Sequence, residues 1–277
     1  MNYYKLYIRL TPIYLIVFAM HMGFCQTNEL GVFGGGSLFH GDVGSQNSEN
    51  AILESQPTIG IHLKRNLNYY FGLNLSIMSG RIQAHDVKSN DFYINTRDLQ
   101  FKSKITEFSF LLEFNFRPYL SRDPDYNYTP FIFSGISKFY YNPQNQASNG
   151  IWYNLRPLLT EGQGSDFYPG RELYKLSGIA IPIGVGYKVN IYNYITLSFT
   201  LGWRITFNDY IDDVSTTYIE ESMLTDLALE MAEPSSHNFN DGFQRGNPYN
   251  KDKYGFWGLS IIYSIKDPVK ECIDLIQ

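Results

Sequence analysis

Cysteine is almost absent from this sequence: there are two in 277 residues, Cys25 and Cys272. Cys25 closes an N-terminal apolar segment, so Cys272 stands alone in the mature region. No internal disulfide can form there, and a disulfide-stapled secreted domain is excluded. Histidine is scarce as well. Only His40, His62, His85 and His237 follow position 26, none of them at metal-ligand spacing with another His or Cys. Surface positions are expected for all four. No Lys/Arg cluster accompanies the net charge of −5, which argues against a nucleic-acid partner. Beyond the N-terminal segment no apolar run approaches the ~20 residues of a transmembrane helix. The strand ends offer no Ser with a matching His and Asp, so a hydrolase triad is not legible. Catalytic residues and cofactors are therefore not expected, and neither is enzyme activity.

Aromatic residues, by contrast, are abundant at 17%, with 23 Tyr, 20 Phe and 23 Gly beside them. Mean hydropathy is slightly negative. A transmembrane β-barrel has this composition, because its apolar residues are spread through alternating strands and its aromatics gather at the membrane interfaces. The N-terminus reads as a secretory signal peptide over 1–25, with Lys5 and Arg9 before an apolar core at 13–24. Gly23 and Cys25 place cleavage after Cys25. A lipoprotein reading of Cys25 meets bulky Phe24 where a small residue is wanted.

Period-two alternation predicts eight strands, over 30–39, 57–65, 69–80, 105–118, 128–141, 177–190, 194–207 and 254–266. In the fourth, Phe108, Phe110, Leu112, Phe114 and Phe116 share one face, opposite Glu107, Ser109, Glu113, Asn115 and Arg117. In the fifth both faces are apolar. The connections alternate long and short, as extracellular loops and periplasmic turns do in outer-membrane barrels. The fold expected is all-β: an eight-stranded antiparallel transmembrane barrel over 26–266 with long extracellular loops, both termini in the periplasm, and a periplasmic tail at 267–277. Apolar faces point to lipid, and small polar residues fill a narrow lumen. Charges placed in that lumen must pair. Glu107, Glu113, Arg117, Lys188 and Arg204, with Lys64, are expected to form a salt-bridge plug, Glu113 pairing with Arg204 or Arg117.

The loops carry weaker signals. Thr217 and Glu220 have capping-box spacing, and Ile219, Met223, Leu227 and Met231 follow at helical intervals, predicting about four turns of helix ending before Pro234. Asp209, Asp212 and Asp213 could offer oxygen ligands to Ca²⁺, although Asp and Ser leaving a strand more commonly cap turns. Thr160-Glu161-Gly162-Gln163-Gly164 is Gly-rich without the phosphate-cradle pattern and reads as a fixed turn.

Taken in order, several motifs carry a family resemblance: Gly41-Asp42, Arg97-Asp98-Leu99-Gln100-Phe101, Glu113-Phe114-Asn115-Phe116, Thr160-Glu161-Gly162-Gln163-Gly164, and Asp209-Tyr210-Ile211-Asp212-Asp213-Val214-Ser215. Together they resemble the PorG-type outer-membrane barrels of the type IX secretion system of Bacteroidetes, with Asp98 where that pattern favours Asn. The resemblance implies a non-enzymatic component of a protein secretion machine. Its partners would be outer-membrane lipids and a periplasmic ring built from a lipoprotein and a ring protein, with gliding motility dependent on the machine in some species. The alternative is an independent structural or adhesion barrel that binds surface ligands through its long loops.

Overall fold

The computed structural model describes residues 27–44, 55–121, 125–192, 194–235, 237 and 239–265. The expected signal peptide at 1–25 and the expected tail at 267–277 lie outside them. Among the described residues there are ten strands, the long ones set by period-two patterning: β1 (Thr27–His40), β2 (Gln56–Asn66), β3 (Phe71–His85), β4 (Gln100–Asn115), β5 (Tyr128–Tyr140), β6 (Pro143–Gln146), β7 (Trp152–Asn154), β8 (Ser177–Tyr192), β9 (Ile195–Thr206) and β10 (Lys253–Ile265). Eight of them close a barrel. Each of β1 to β4 pairs antiparallel with the next, β5 pairs with β8, β8 with β9, and β9 with β10. Finally β10 returns to β1 with Val32 opposite Ile261. Closure leaves no open edge, the condition for strands to lie in lipid.

The outward positions are apolar and open: Val32, Ile59, Ile61, Leu75, Phe110, Leu112, Ile136, Val185, Leu201 and Ile261 among them. The inward positions are polar and covered, including Glu29, Lys64, Glu107, Glu113, Lys188 and Arg204. A continuous apolar exterior of this kind belongs against acyl chains rather than water. The protein is a transmembrane β-barrel. None of the described helices is long and apolar enough to cross a membrane.

β3 and β4 continue well past the lengths expected from alternation. Their ladder runs on through Gly80↔Ile105 and Arg81↔Lys104 to His85↔Gln100. About 9–11 residues suffice to span a bilayer, so this hairpin rises above it. The polarity of the two faces inverts there. Arg81, Gln83, Lys102 and Lys104 point outward, whereas Ile82, Ala84, Phe101 and Ile105 are buried inside. Above the membrane the exterior is wet and the interior is packed by loops, so the strand pattern reverses sign where the solvent changes.

The long loops converge over that end of the barrel. Residues 86–99 carry helix α1 (Phe92–Arg97), capped by the Asp91 carboxylate, which accepts from the Tyr93 and Ile94 amides. It ends at Asp98 in the left-handed region, φ 56°, where both Asp and Asn are tolerated. Loop 141–176 carries the β6–β7 hairpin, and β6 pairs back onto β4. Loop 207–252 departs from the four-turn helix predicted for it. Among its described residues a short 3-10 turn (Glu221–Met223) and α2 (Asp226–Ala232) form, the latter with Thr225 as its N-cap. Thr217 instead bridges Gln244, and the Tyr218 amide donates to the Phe243 carbonyl. Those backbone bonds hold 217–218 extended, and the helix begins at the later capping threonine.

Candidate functional site in the lumen and the loop cap

Two layers of buried charge close the lumen. Toward the short turns, Glu113 on β4 accepts from Lys64 of β2 at 2.6 Å and from Lys188 of β8 at 3.1 Å. Its second oxygen accepts from Asn74 Nδ2 at 2.9 Å. Lys64 also lies 3.7 Å from Glu29, which Asn66 binds at 2.8 Å. Lys188 Nζ sits 4.6 Å from the centre of the Phe131 ring. Toward the long loops, Arg204 on β9 donates two bonds of 3.0 Å to Glu107 on β4. Tyr254 and Ser109 hydroxyls also donate to Glu107, each at 2.6 Å. Between the layers remains a cavity of about 60 Å³, room for a few waters.

Glu113 therefore pairs with two lysines, not with Arg204 or Arg117. Arg204 stands near the long-loop end of β9 and meets Glu107, while Glu113 lies near the opposite end of β4. Arg117 is not in the lumen at all. It follows the end of β4, is exposed, and lays its guanidinium 4.0 Å from the Tyr128 ring centre on the outer wall. Since β4 ends at Asn115, the alternation that would have turned Arg117 inward no longer applies. His62 also departs from expectation: it is buried in the lumen against Gly31, where a Cβ would lie 2.1 Å from its Nε2.

Aromatic rings fill the rest. Phe131 and Phe133, from the strand whose faces both read as apolar, point inward. They fit because β8 and β9 offer glycines opposite: a Cβ at Gly186 would lie 2.4 Å from Phe131, and one at Gly184 would lie 2.3 Å from Phe133.

The mouth is shut by a cap in which four loops are tied by buried charge. Its centre is Glu161, fully buried, which accepts from Arg245 at 2.9 Å. Glu161 also accepts from the amides of Ser215 and Thr216 at 3.0 Å each, and from the Tyr210 hydroxyl at 3.1 Å. Thr160 donates to Asp213 at 2.6 Å, and Tyr174 donates to the same carboxylate at 2.5 Å. Asp212 reaches across to the first loop and accepts from the Asp42 and Val43 amides at 3.1 and 3.0 Å. Asp42 in turn accepts from the Asn247 amide at 2.8 Å. The second loop joins through Arg97, which donates to Asp86 at 2.8 Å, to the Asp42 carbonyl at 2.7 Å, and to the Arg245 carbonyl. Asp252 holds the Ile211 amide at 2.8 Å. Gly162 and Gly164 turn the Thr160–Gly164 stretch at φ 70° and 76°, and the Gln163 side chain accepts from the Glu161 amide at 3.1 Å. Gly41 is a close approach: a Cβ there would lie 2.3 Å from an Asp252 oxygen.

The loop motifs of the resemblance, scattered over the sequence, thus converge on one buried knot, whereas Glu113-Phe114-Asn115-Phe116 lies at the other end of the barrel, with Glu113 in the lower charge layer. Arg245, Asp86, Asp252 and Tyr174 complete the knot, and sequence reasoning passed over them as isolated loop residues. Each looks like a solvated charge or ring until its partner is known. Burial pushes the Asp42 carboxyl up to about 7, with Asp209 adding to the effect against the pull of the Asn247 amide and Arg97. Asp213 rises to about 6 through burial, opposed by Arg245. Asp212 is raised well above the usual carboxylate range by burial and then by Asp42, and Asp252 by burial and then by Asp212.

Asp209, Asp212 and Asp213, for which capping is the favoured reading ahead of calcium, each accept hydrogen bonds within the loops. Asp213 takes Thr160 and Tyr174, Asp212 takes backbone amides, and Asp209 takes the Ser215 hydroxyl at 2.6 Å. Among the described residues no three His, Cys, Asp or Glu side chains are placed to hold a metal ion.

A family profile described as a domain of unknown function, DUF6089, matches residues 8–153, just over half of the chain. No curated protein matches the sequence. Among solved structures, Ail, the attachment invasion locus protein of Yersinia pestis, in complex with the heparin analogue sucrose octasulfate, aligns with a TM-score of 0.40 at 9% identity. That alignment covers 87% of this chain and 99% of Ail. Neisserial surface protein A aligns at 0.42 and 6% identity over 86% of this chain and 97% of its own. The outer membrane protein OprG of Pseudomonas aeruginosa aligns at 0.41 and 10% identity over 86% and 97%.

Proposed function

This chain belongs to the DUF6089 family, and from that premise we propose that it is a non-enzymatic outer-membrane barrel that anchors the periplasmic ring of a type IX protein secretion system. The observation that carries the reading is the closed lumen. Two layers of paired charge and a cavity of only about 60 Å³ leave no route for a polypeptide or a solute. Such a barrel serves as a support. The long, knotted loops face outside the cell and the short turns face the periplasm, where a ring of lipoprotein and ring protein would seat.

The resemblance of the loop motifs to PorG-type barrels names the machine, and their burial explains why they lie on the face away from the ring. They hold the cap together, and contact with the ring falls to the short turns and to the 267–277 tail. Deletion of the gene should abolish export of proteins bearing the type IX C-terminal signal while other outer-membrane proteins stay in place. A chain ending at residue 266 isolates the contribution of the tail. Normal export in the full deletion overturns the assignment.

A second reading, adhesion through the cap, has one observation in its favour: Phe92, Phe167 and Tyr249 stand out from the loops at 85%, 73% and 94% exposure. Under that reading the deletion strain exports its cargo and loses binding to surface ligands.

A further inference from the structure

The outer wall over β3, β4 and β5 changes character abruptly at the rim. Below it the outward positions are Ile77, Phe108, Phe110 and Ile136, all exposed and apolar. Above it they are Arg81, Lys104 and Lys102, with Lys138 just inside the boundary. Arg81 and Lys104 are direct cross-strand partners, and Lys138 is the partner of Phe108. Trp152, from the β6–β7 hairpin, lies over Lys102 with its ring centre 3.1 Å from Nζ, and Lys138 Nζ lies 5.9 Å from the Tyr140 ring. Among the described residues no carboxylate reaches any of these four cations. The acids of β4, Glu107 and Glu113, both point into the lumen. Like charges opposite one another on adjacent strands repel, so the patch is incomplete without an anion.

A groove of about 580 Å³ runs across the outer face, bordered by Ile61, Leu75, Ile77, Phe108, Ile136 and Lys138. Its volume falls within the range of small-molecule sites, about 300–1,000 Å³. Lys138 belongs both to the groove and to the cationic rim. The groove opens sideways into the apolar band, so its occupant comes from the bilayer, and the rim selects for negative charge at headgroup height.

The geometry points to a binding site for a phosphorylated lipid of the leaflet on the long-loop side, its phosphate held among Arg81, Lys102, Lys104 and Lys138 and an acyl chain lying in the groove below. This rests on the transmembrane reading of the barrel, not on the secretion machine. Lys102 is pre-positioned by Trp152, and Lys138 snorkels from the apolar wall toward the phosphate level. Arg81 and Lys104 supply the adjacent pair of donors that a phosphate can bridge.

The test uses the folded full barrel in phosphatidylcholine nanodiscs doped with diphosphorylated lipid A, or with the same lipid stripped of its phosphates. Lipid retained by the barrel is read by native mass spectrometry. Wild type should retain the phosphorylated form selectively. The variant Lys102→Gln, Lys104→Gln, Lys138→Gln should retain it about tenfold less or worse, since each cation near a headgroup contributes roughly 1 kcal/mol. The variant Arg65→Gln, Arg117→Gln, at the opposite rim, should bind as wild type does. Circular dichroism establishes that each variant is folded. Equal retention of both lipid forms, or equal loss in both variants, overturns the proposal and leaves the transmembrane reading standing. Failure of wild type to enter the nanodisc overturns both.

Discussion

Glu113 holds two cations inside the barrel wall. Two ammonium groups and an amide converge on it in a site without bulk water. Removing one member of a buried ion pair strands the others, which typically costs about 3–5 kcal/mol. Glu113→Ala should lose stability on that scale in urea unfolding from bilayers. A double-mutant cycle of Glu113 with Lys64 should show strong coupling, whereas cycles with Arg117 or Arg204 should be additive. Coupling to Arg117 would contradict the placement of that residue outside the lumen. On the lipid side, Leu112→Arg should destabilise by about 2–4 kcal/mol, the usual penalty near the bilayer midplane. Thr200, which lines the lumen cavity, pays differently when replaced by Arg, through crowding. Equal folding of Leu112→Arg and wild type would reverse the facing assignment. Which way each residue faces was legible from period two alone. Who pairs with whom was not, because pairing depends on height along tilted strands and on where each strand stops.

At the scale of elements, the wall and the cap were unequally legible. Each lipid-facing strand advertises itself because one neighbour is acyl chain and the other is a polar lumen. The upper parts of β3 and β4 read as loop, since Ile82, Ala84 and Phe101 pack inside while Arg81 and Lys102 face water, reversing the expected pattern. The cap gave almost no periodic signal. Its order comes from long-range hydrogen bonds such as Arg245–Glu161 and Arg97–Asp86, and the sequence separation between partners hides them.

Two predictions belong to this scale. Arg245→Met leaves Glu161 buried without its cation, so loop 207–252 should become sensitive to protease while the wall strands remain protected. Resistance equal to wild type would count against the knot. The cap should also respond to pH. Asp42, raised from 3.8 to about 7, and Asp213, raised from 3.8 to about 6, both hold protons in the folded cap that they lose in the opened one. Where the folded state binds more protons, stability falls as the pH rises. Between about pH 4 and pH 7 the cap should therefore loosen with rising pH. Hydrogen exchange at the Val43 and Val214 amides, which donate to Asp212, and corrected for intrinsic rate, should show protection falling across that window. Protection rising with pH would contradict the burial of these carboxylates.

For the whole molecule, eight strands enclose a lumen that side chains can fill, and this chain fills it twice over, with ion pairs and with rings. The cap then covers the mouth with a second polar core. Nothing among the described residues leaves a route for a solute, and the proposed anchoring role depends on that. The most direct measurement is ionic conductance of the purified full barrel in planar bilayers, with insertion verified by protection of the wall strands from protease. A closed barrel gives no conductance steps, and the Arg245→Met variant, which opens only the cap, gives none either because both charge layers remain below. Reproducible conductance steps from the wild-type barrel would contradict the account.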